Sequence, residues 1–135
     1  MRGDPLPSKD HISRYCKPKT APGGHPTGAS FTPKEGEPYL SVNWMEYFGE
    51  ADQEAQIARI RDYIELSLAK NGLFAVLNVG EVIDRIQRHA GKTLAVLHEP
   101  TQDDPSHSGI YGYQHEDMLV TELLADIVME TYPSR

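Results

Sequence analysis

The sequence LFAVLNVGEVIDRIQRHAGKTLAVL, residues 73–97, carries the strongest structural signal in the chain. Its first part, residues 73–79, is a nearly continuous apolar run that is typical of a buried strand. Gly80 interrupts this run, and the spacing of the next apolar residues predicts a short helix that ends near Gly91. A second apolar run, residues 93–97, follows. A strand, a short helix and a strand at this spacing predict a right-handed parallel crossover.

Two longer helices are predicted on either side of this unit. Apolar residues at three- and four-residue steps predict a helix over residues 52–70, followed by the helix-ending pair Asn71-Gly72. Its apolar stripe consists of Ile57, Ile60, Ile64 and Leu68. Residues 114–131 show the same periodicity and predict a closing helix.

The remaining segments predict short strands and loops. Residues 29–31 and 39–42 have strand composition, and the prolines and glycine of residues 32–38 predict a turn between them. Residues 17–28 and 99–113 are rich in helix and strand breakers and predict irregular loops. The whole pattern predicts an α+β or small α/β protein, in which two long helices pack on a mixed sheet of about four strands as a single pair of layers.

Length and composition fit one globular domain. Residues 1–9 are predicted to be a flexible N-terminus and residues 10–135 a single domain. There is no apolar run near the roughly 20 residues of a membrane helix, and no secretory signal. Cys16 is the only cysteine, so an internal disulfide is excluded. We therefore expect a cytoplasmic protein without a membrane partner.

Charge is unevenly distributed along the chain. The net charge of −7 argues against non-specific binding to nucleic acid, which depends on neutralising phosphates. Residues 1–34 nevertheless contain six Lys or Arg and two Asp or Glu, while the remainder holds seven against eighteen. The basic part can meet a phosphate or an acidic partner, or simply cover the acidic body.

Three histidines stand in segments that look functional. His11 lies near Arg14, His98 ends a predicted buried strand, and His107 follows the rigid turn that begins at Asp104. Histidine is the side chain best suited to proton transfer near neutral pH, so all three are candidate catalytic residues. Asn43 is a fourth candidate, as the residue that orients a ligand or a histidine. The histidines lack the close pair spacing of a metal site, so no metal or resident cofactor is expected.

Candidate ligand-binding residues surround the histidines. Arg14 offers a planar fork for phosphate or carboxylate, and Trp44, the only tryptophan, can stack on a base or cap the core. The other candidates are Tyr15, Ser41 and Asp104. A triad of Ser41, His107 and Asp104 can be drawn, but no Gly-x-Ser-x-Gly elbow supports it. Cys16 is either a nucleophile or a small buried apolar residue.

The layout of the N-terminal part of the chain, over approximately positions 1–60, resembles that of small ADP-ribosyltransferase-like domains. The features that carry the resemblance are the His11/Arg14-Tyr15 start, Gly28-Ala29-Ser30-Phe31, and Tyr39-Leu40-Ser41 followed by an acidic helix. The resemblance implies NAD as a substrate and a glutamate on a late strand. Glu99 is the nearest match to that glutamate.

These observations predict a small soluble enzyme with a histidine-centred site for a nucleotide-like or phosphate-bearing substrate. His11 and His107 would act as acid and base, His98 would support or replace one of them, and Arg14 would hold the anionic charge. The alternative is a non-catalytic interaction or regulatory module with a protein partner. A third interpretation is a small-ligand sensor that uses the same pocket without turnover.

Overall fold

The computed structural model describes residues 2–64 and 68–135. Within them, six strands form one sheet in the order β4-β5-β2-β1-β3-β6, and every pair of neighbours is antiparallel. The strands are β1 His11–Cys16, β2 Leu40–Trp44, β3 Leu73–Asn78, β4 Ala95–His98, β5 His107–Tyr111 and β6 Glu130–Pro133. The α-helices are α1 Gln53–Tyr63, α2 Val79–Ala90 and α3 Met118–Asp126.

Local sequence explains where α1 and α2 begin and where α2 ends. The side chain of Asp52 accepts a hydrogen bond from the backbone N–H of Ala55 at 2.8 Å. Asn78 caps α2 in the same way, through the backbone N–H of Glu81 at 2.9 Å. Both are residue types that are preferred at helix N-termini. Gly91 follows α2 in a left-handed conformation, which favours glycine.

The helices lie on both faces of the sheet. Successive side chains of a strand point to opposite faces. Ala75 and Leu77 of β3 belong to the larger core cluster, which α2 and α3 cover. Phe74 and Val76 face the other way and belong to a smaller cluster. Ile57 and Ile60 of α1 complete that smaller cluster, and both are fully buried.

The N-terminal segment runs along the edge strand β4. The backbone N–H of Leu6 donates to the carbonyl of Val96 at 3.0 Å, and that of His98 donates to Asp4 at 2.8 Å. Leu6 is buried in the larger cluster. Residues 3–6 therefore occupy hydrogen-bonding groups that an edge strand would otherwise expose.

The predicted mixed sheet of about four strands, packed by two long helices, is wrong. The described residues contain a six-strand antiparallel sheet with three helices, in an α+β mixture. The predicted crossover joins β3 to β4, and these strands do run in the same direction. They are not neighbours, however, because β1, β2 and β5 lie between them. Helices on both faces also replace the predicted single pair of layers.

The predicted strand count is too low because three strands lie in segments with other or undecided predictions. The sequence leaves the segment of β1 undecided between helical and extended structure, β5 lies in a predicted loop, and β6 lies at the end of the predicted closing helix. Residues 28–31 form a 3₁₀ turn and not a strand. The helix predicted over residues 52–70 ends at Tyr63; residues 65–67 lie outside the described residues.

Among residues 2–64 and 68–135, no helix has the length and apolar character needed to span a membrane.

Candidate functional site

A cleft lies where the two central strands part. β1 pairs with β3 at six positions, but it pairs with β2 at only two, Ile12 with Trp44 and Ser13 with Asn43. The cleft beside this opening has a volume of about 190 Å³. It brings together six of the predicted site residues: Arg14, Tyr15, Ser41, Asn43, Asp104 and His107.

The register explains why polar side chains collect here. Val76, Ser13, Asn43 and His107 are paired directly across β3, β1, β2 and β5, so they form one row on one face of the sheet. Val76, at one end of the row, is apolar and lies under α1, whereas the other three residues of the row are polar and lie farther from that helix. This face of β2 and β5 therefore carries the groups that can meet a ligand.

Arg14 bridges the opening between the strands. Its Nε donates to the carbonyl of Ser30 at 2.9 Å, and its Nη1 donates to the carbonyl of Ser41 at 2.8 Å. Burial lowers the pKa of the Arg14 guanidinium, because the charged form loses hydration. None of the ion pairs formed within the described residues includes Arg14. A half-buried cation without an ion-paired carboxylate can bind an anionic group.

A second cleft adjoins the first and is basic. It shares Arg14, Tyr15 and Ser41 with the first cleft and has a volume of about 300 Å³. Its lining includes the cations Lys17 and Lys34 and one carboxylate, Glu37. The two clefts together can hold an elongated ligand whose anionic part lies at the lysines.

His107 is held in a defined tautomer at the wall of the first cleft. Its Nδ1 lies 2.8 Å from the main-chain oxygen of Glu99, and its Nε2 lies 3.2 Å from Ser41 Oγ. A carbonyl oxygen only accepts hydrogen bonds, so we assign the proton of the neutral ring to Nδ1. Nε2 then presents its lone pair to the Ser41 hydroxyl, which is the arrangement of a general base and its proton donor.

An aromatic ring supports this wall. The Tyr39 ring centroid lies 5.9 Å from that of His107. The ring packs against Gly109, where any side chain would overlap it. A glycine on the strand is therefore required for Tyr39 to lie beside the histidine.

Asn43 belongs to a buried polar network at the base of the cleft. Its Nδ2 donates to both carboxylate oxygens of Asp104, at 3.0 and 3.1 Å, and to Ser106 Oγ at 2.9 Å. The Asp104 carboxylate fixes the orientation of the amide, because it accepts hydrogen bonds. Asn43 Oδ1 makes no hydrogen bond within the part of the chain that the structure describes. Ser13 Oγ, across the strand pair, is buried there without a partner. The base of the cleft thus contains, among the described residues, one enclosed and unpartnered polar atom, Ser13 Oγ, beside the Asn43 network.

Two predicted catalytic histidines lie elsewhere. His11 Nδ1 contacts Glu46 Oε2 at 2.6 Å, and the His11 backbone N–H donates to the same carboxylate at 2.8 Å. His98 is buried, with Nε2 at 2.8 Å from the carbonyl of Pro105. Neither residue lines the two clefts. The structure therefore does not bring His11 to His107 as an acid–base pair.

Trp44, predicted to bind ligand, faces the larger core cluster. It packs against that cluster, and its Nε1 donates to Asp10 Oδ2 at 2.9 Å. Its ring lies 5.2 Å from that of His98, and it does not line either cleft. The alternative role of this tryptophan, a cap on the core, matches this position.

The side chain of Glu99 is also held away from the cleft. Its carboxylate accepts a hydrogen bond from the Tyr111 hydroxyl and lies 3.4 Å from Arg2 Nε. Burial, and secondarily the contact with Glu99, raises the pKa of Tyr111 to about 12. Glu99 contacts His107 through its main chain: its N–H donates to the His107 carbonyl at 2.9 Å, and its own carbonyl oxygen faces His107 Nδ1. That oxygen occupies the place that the drawn triad gave to Asp104, which binds Asn43 instead.

The sequence raises two other possibilities, a metal site and a reactive Cys16. Within residues 2–64 and 68–135, no group of three or more His, Cys, Asp or Glu side chains is arranged to hold a metal ion. Cys16 is buried in the larger cluster, and burial raises the pKa of its thiol, which opposes formation of the nucleophilic thiolate.

The sequence reasoning missed several residues that line the clefts. Among them are the polar residues Ser13, Lys17, Lys34 and Thr101. The alternation of Ser13 with Tyr15 along β1 would have placed it on the cleft face once the strand was recognised. The lysines lie in irregular segments, where no periodic signal indicates direction.

Comparison of the chain with protein-family models, with curated proteins and with solved structures finds no match. The resemblance to ADP-ribosyltransferase-like domains therefore stays a prediction from layout.

Proposed function

We propose that this chain is an enzyme that acts on a phosphate-bearing, nucleotide-like substrate bound along the two adjoining clefts. One observation carries the proposal: His107 Nε2 faces the Ser41 hydroxyl at 3.2 Å, in a cleft whose half-buried Arg14 makes no ion pair among the described residues. A proton acceptor beside an unpaired cation suits chemistry at an anionic centre.

Each residue has a distinct role in this proposal. His107 acts as general base, and Arg14 binds the phosphate through hydrogen-bonding groups that its two carbonyl contacts leave free. Lys17 and Lys34 attract the anionic part of the ligand into the second cleft. Asn43 orients the ligand through its unused Oδ1, which accepts a hydrogen bond from a ligand N–H or O–H.

Phosphoester chemistry fits this site better than ADP-ribosyl transfer from NAD. The transfer implied by the resemblance needs a glutamate beside the substrate. The Glu99 carboxylate is instead held by Tyr111 and Arg2, and it lines neither cleft. NAD remains a useful test ligand, because its diphosphate can occupy the basic cleft.

A ligand panel tests the proposal. Thermal unfolding would be followed with ADP, ATP, NAD, inorganic pyrophosphate and, as the uncharged control, adenosine. A ligand at a hundred times its dissociation constant adds about 2.7 kcal/mol to the free energy of unfolding. We expect the phosphate-bearing compounds to stabilise the protein and adenosine to do so less, and chromatography of the incubated nucleotides to show product.

Two variants locate the binding. Lys17→Gln with Lys34→Gln should weaken the shift, while Arg88→Gln, which removes a surface ion pair on α2, should leave it unchanged. His107→Asn should abolish product formation but keep the shift. Absence of both a shift and a product across the panel would refute the proposal.

The second candidate function is a non-catalytic interaction module. Met118 and Leu119, adjacent at the start of α3, are both exposed. Large apolar side chains that lie together at a surface are typical of partner contacts. This alternative predicts that no panel compound is turned over. It also predicts that Met118→Glu with Leu119→Glu changes partner capture without changing ligand shifts.

A further inference from the structure

We infer that Ser41 is the nucleophile of this site and that it forms a covalent phosphoester during turnover. The inference rests on the proposed function for the class of substrate. It adds that the atom that attacks phosphorus belongs to the protein and not to water.

The contacts of Ser41 are those of an activated serine. Its Oγ lies 3.2 Å from His107 Nε2, and His107 Nδ1 is fixed at 2.8 Å from the Glu99 carbonyl. Nucleophile, base and orienting group thus follow one another within hydrogen-bonding reach. The orienting group is a neutral carbonyl and not a carboxylate, so it stabilises the imidazolium less than a triad aspartate does.

The position of Ser41 gives a substrate access to its hydroxyl. Ser41 is half-buried and lines both clefts, so a group bound in either one can reach it. Arg14 Nη1 lies 2.8 Å from the main-chain oxygen of the same residue. The guanidinium is therefore anchored to the main chain of Ser41, and its remaining N–H groups can balance the charge of a phosphoryl group bound in the clefts.

Neighbouring serines lack this combination. Ser13 Oγ is buried without any partner in the described part of the chain, so no base activates it. Ser106 and Ser108 are fully buried, and their hydroxyls donate to Asp104 Oδ1 and to the Ser106 carbonyl. Ser41 alone among these four combines a facing imidazole with a position on both clefts.

Turnover consists of phosphoryl transfer to Ser41 and then hydrolysis of the phosphoserine. The Ser41 hydroxyl proton moves to His107 Nε2 while Oγ forms a bond to phosphorus. The bond from phosphorus to the leaving oxygen breaks, and that oxygen takes its electron pair and then the proton from Nε2. A water molecule then gives a proton to the same nitrogen and attacks phosphorus. The bond from phosphorus to Ser41 Oγ breaks, phosphate leaves, and Oγ takes the proton from Nε2.

Reaction with a fluorophosphonate tests the nucleophile directly, because this probe loses fluoride to an activated serine and needs no knowledge of the natural substrate. We expect the mass of the intact protein to rise by one phosphonyl group, and peptide mapping to place that group on Ser41. Ser41→Ala should remove the label. His107→Ala should slow labelling by about 10²- to 10⁴-fold, the usual contribution of a general base. Ser8→Ala, which removes an exposed hydroxyl far along the chain, is the matched control and should label like the wild type.

The wild-type result decides the inference even if a variant fails to fold. Labelling at another residue, no labelling of the folded protein, or equal labelling rates in wild type and His107→Ala would each overturn it. Failure of the two proposals can be told apart. Nucleotide turnover without a labelled Ser41 refutes only the covalent step. A labelled Ser41 without any phosphate-dependent thermal shift refutes the substrate class, and the phosphoester with it, but leaves Ser41 as the nucleophile.

Discussion

One face of a single sheet carries two regions of opposite character. Over β1 and β3 the side chains of Tyr15, Phe74 and Val76 pack beneath α1; we call this the covered half. Over β2 and β5 the same face carries Ser41, Asn43 and His107; we call this the open half. Direct pairing links the two halves through Ser13. The strands place side chains of both regions on the same face. These side chains are apolar where α1 covers the face and polar where the face lines the cleft.

The largest expected effect comes from breaking the covered half. Phe74 is fully buried. Phe74→Ala should lower the free energy of unfolding by about 3–5 kcal/mol, because it removes apolar contacts and leaves a cavity. In the open half Ser41→Ala loses one hydrogen bond, to His107. The loss of a single hydrogen bond typically costs about 0.5–1.5 kcal/mol. Urea unfolding of both variants measures the difference, and equal losses would show that the two halves do not differ in their contribution to stability.

An intermediate effect is expected at the boundary between the halves. Asn43→Ala leaves the buried Asp104 carboxylate without its amide donor. This change should cost about 1–3 kcal/mol. Asn43→Asp should cost more, because it places a second carboxylate beside the first. Asn71→Ala, at an exposed position, is the control for loss of an asparagine side chain. A boundary network that does not contribute to stability would give the same unfolding midpoint in all three variants.

The smallest effect is expected at Tyr111, at the edge of the open half, where burial and Glu99 raise the pKa of the tyrosine. Tyr111 should ionise near pH 12 and not near its ordinary pKa of 10.0. The phenolate absorbance that the protein gains between pH 10.0 and about pH 12 should therefore be smaller in Tyr111→Phe than in the wild type. The folded pKa is raised, so the contribution of this tyrosine to stability is fully present below pH 10.0 and is lost as the pH rises through about 12. Glu99→Gln should lower the pKa in part, because burial is the larger cause. An ordinary titration of Tyr111 in the wild type would contradict the buried contact with Glu99.

The covered half was largely predictable from the sequence. The stripe that includes Ile57 and Ile60 identified α1, and the apolar run from Leu73 identified β3. The two elements pack against each other, and the spacing of apolar residues along a sequence indicates which side chains are buried. The predicted length of α1 is too great, because the apolar spacing continues past Tyr63 where the helix ends.

For the open half, the sequence predicted which residues belong to the site but not the strand that carries His107. Six of the residues that line the first cleft follow from their chemistry, but β5 lies in a predicted loop, because its cleft-facing positions carry His107 and Gly109 in place of apolar side chains. A strand that forms a site loses the alternation that identifies strands. His11 and His98 look equally catalytic in the sequence, and only tertiary contacts, to Glu46 and Pro105, separate them from His107.

The strand order has a consequence for how the chain acquires its cleft. β1 is the first strand in the sequence, yet its fuller partner is β3, which follows α1, and it meets β2 at only two positions. Pairings between distant segments form slowly, on a scale of about milliseconds to seconds, since a long loop must close before any contact stabilises it. His107 joins only when β5 docks on β2. Ser41 and His107 lie 66 residues apart in the sequence, so the two reactive groups come together only when these distant strands have paired.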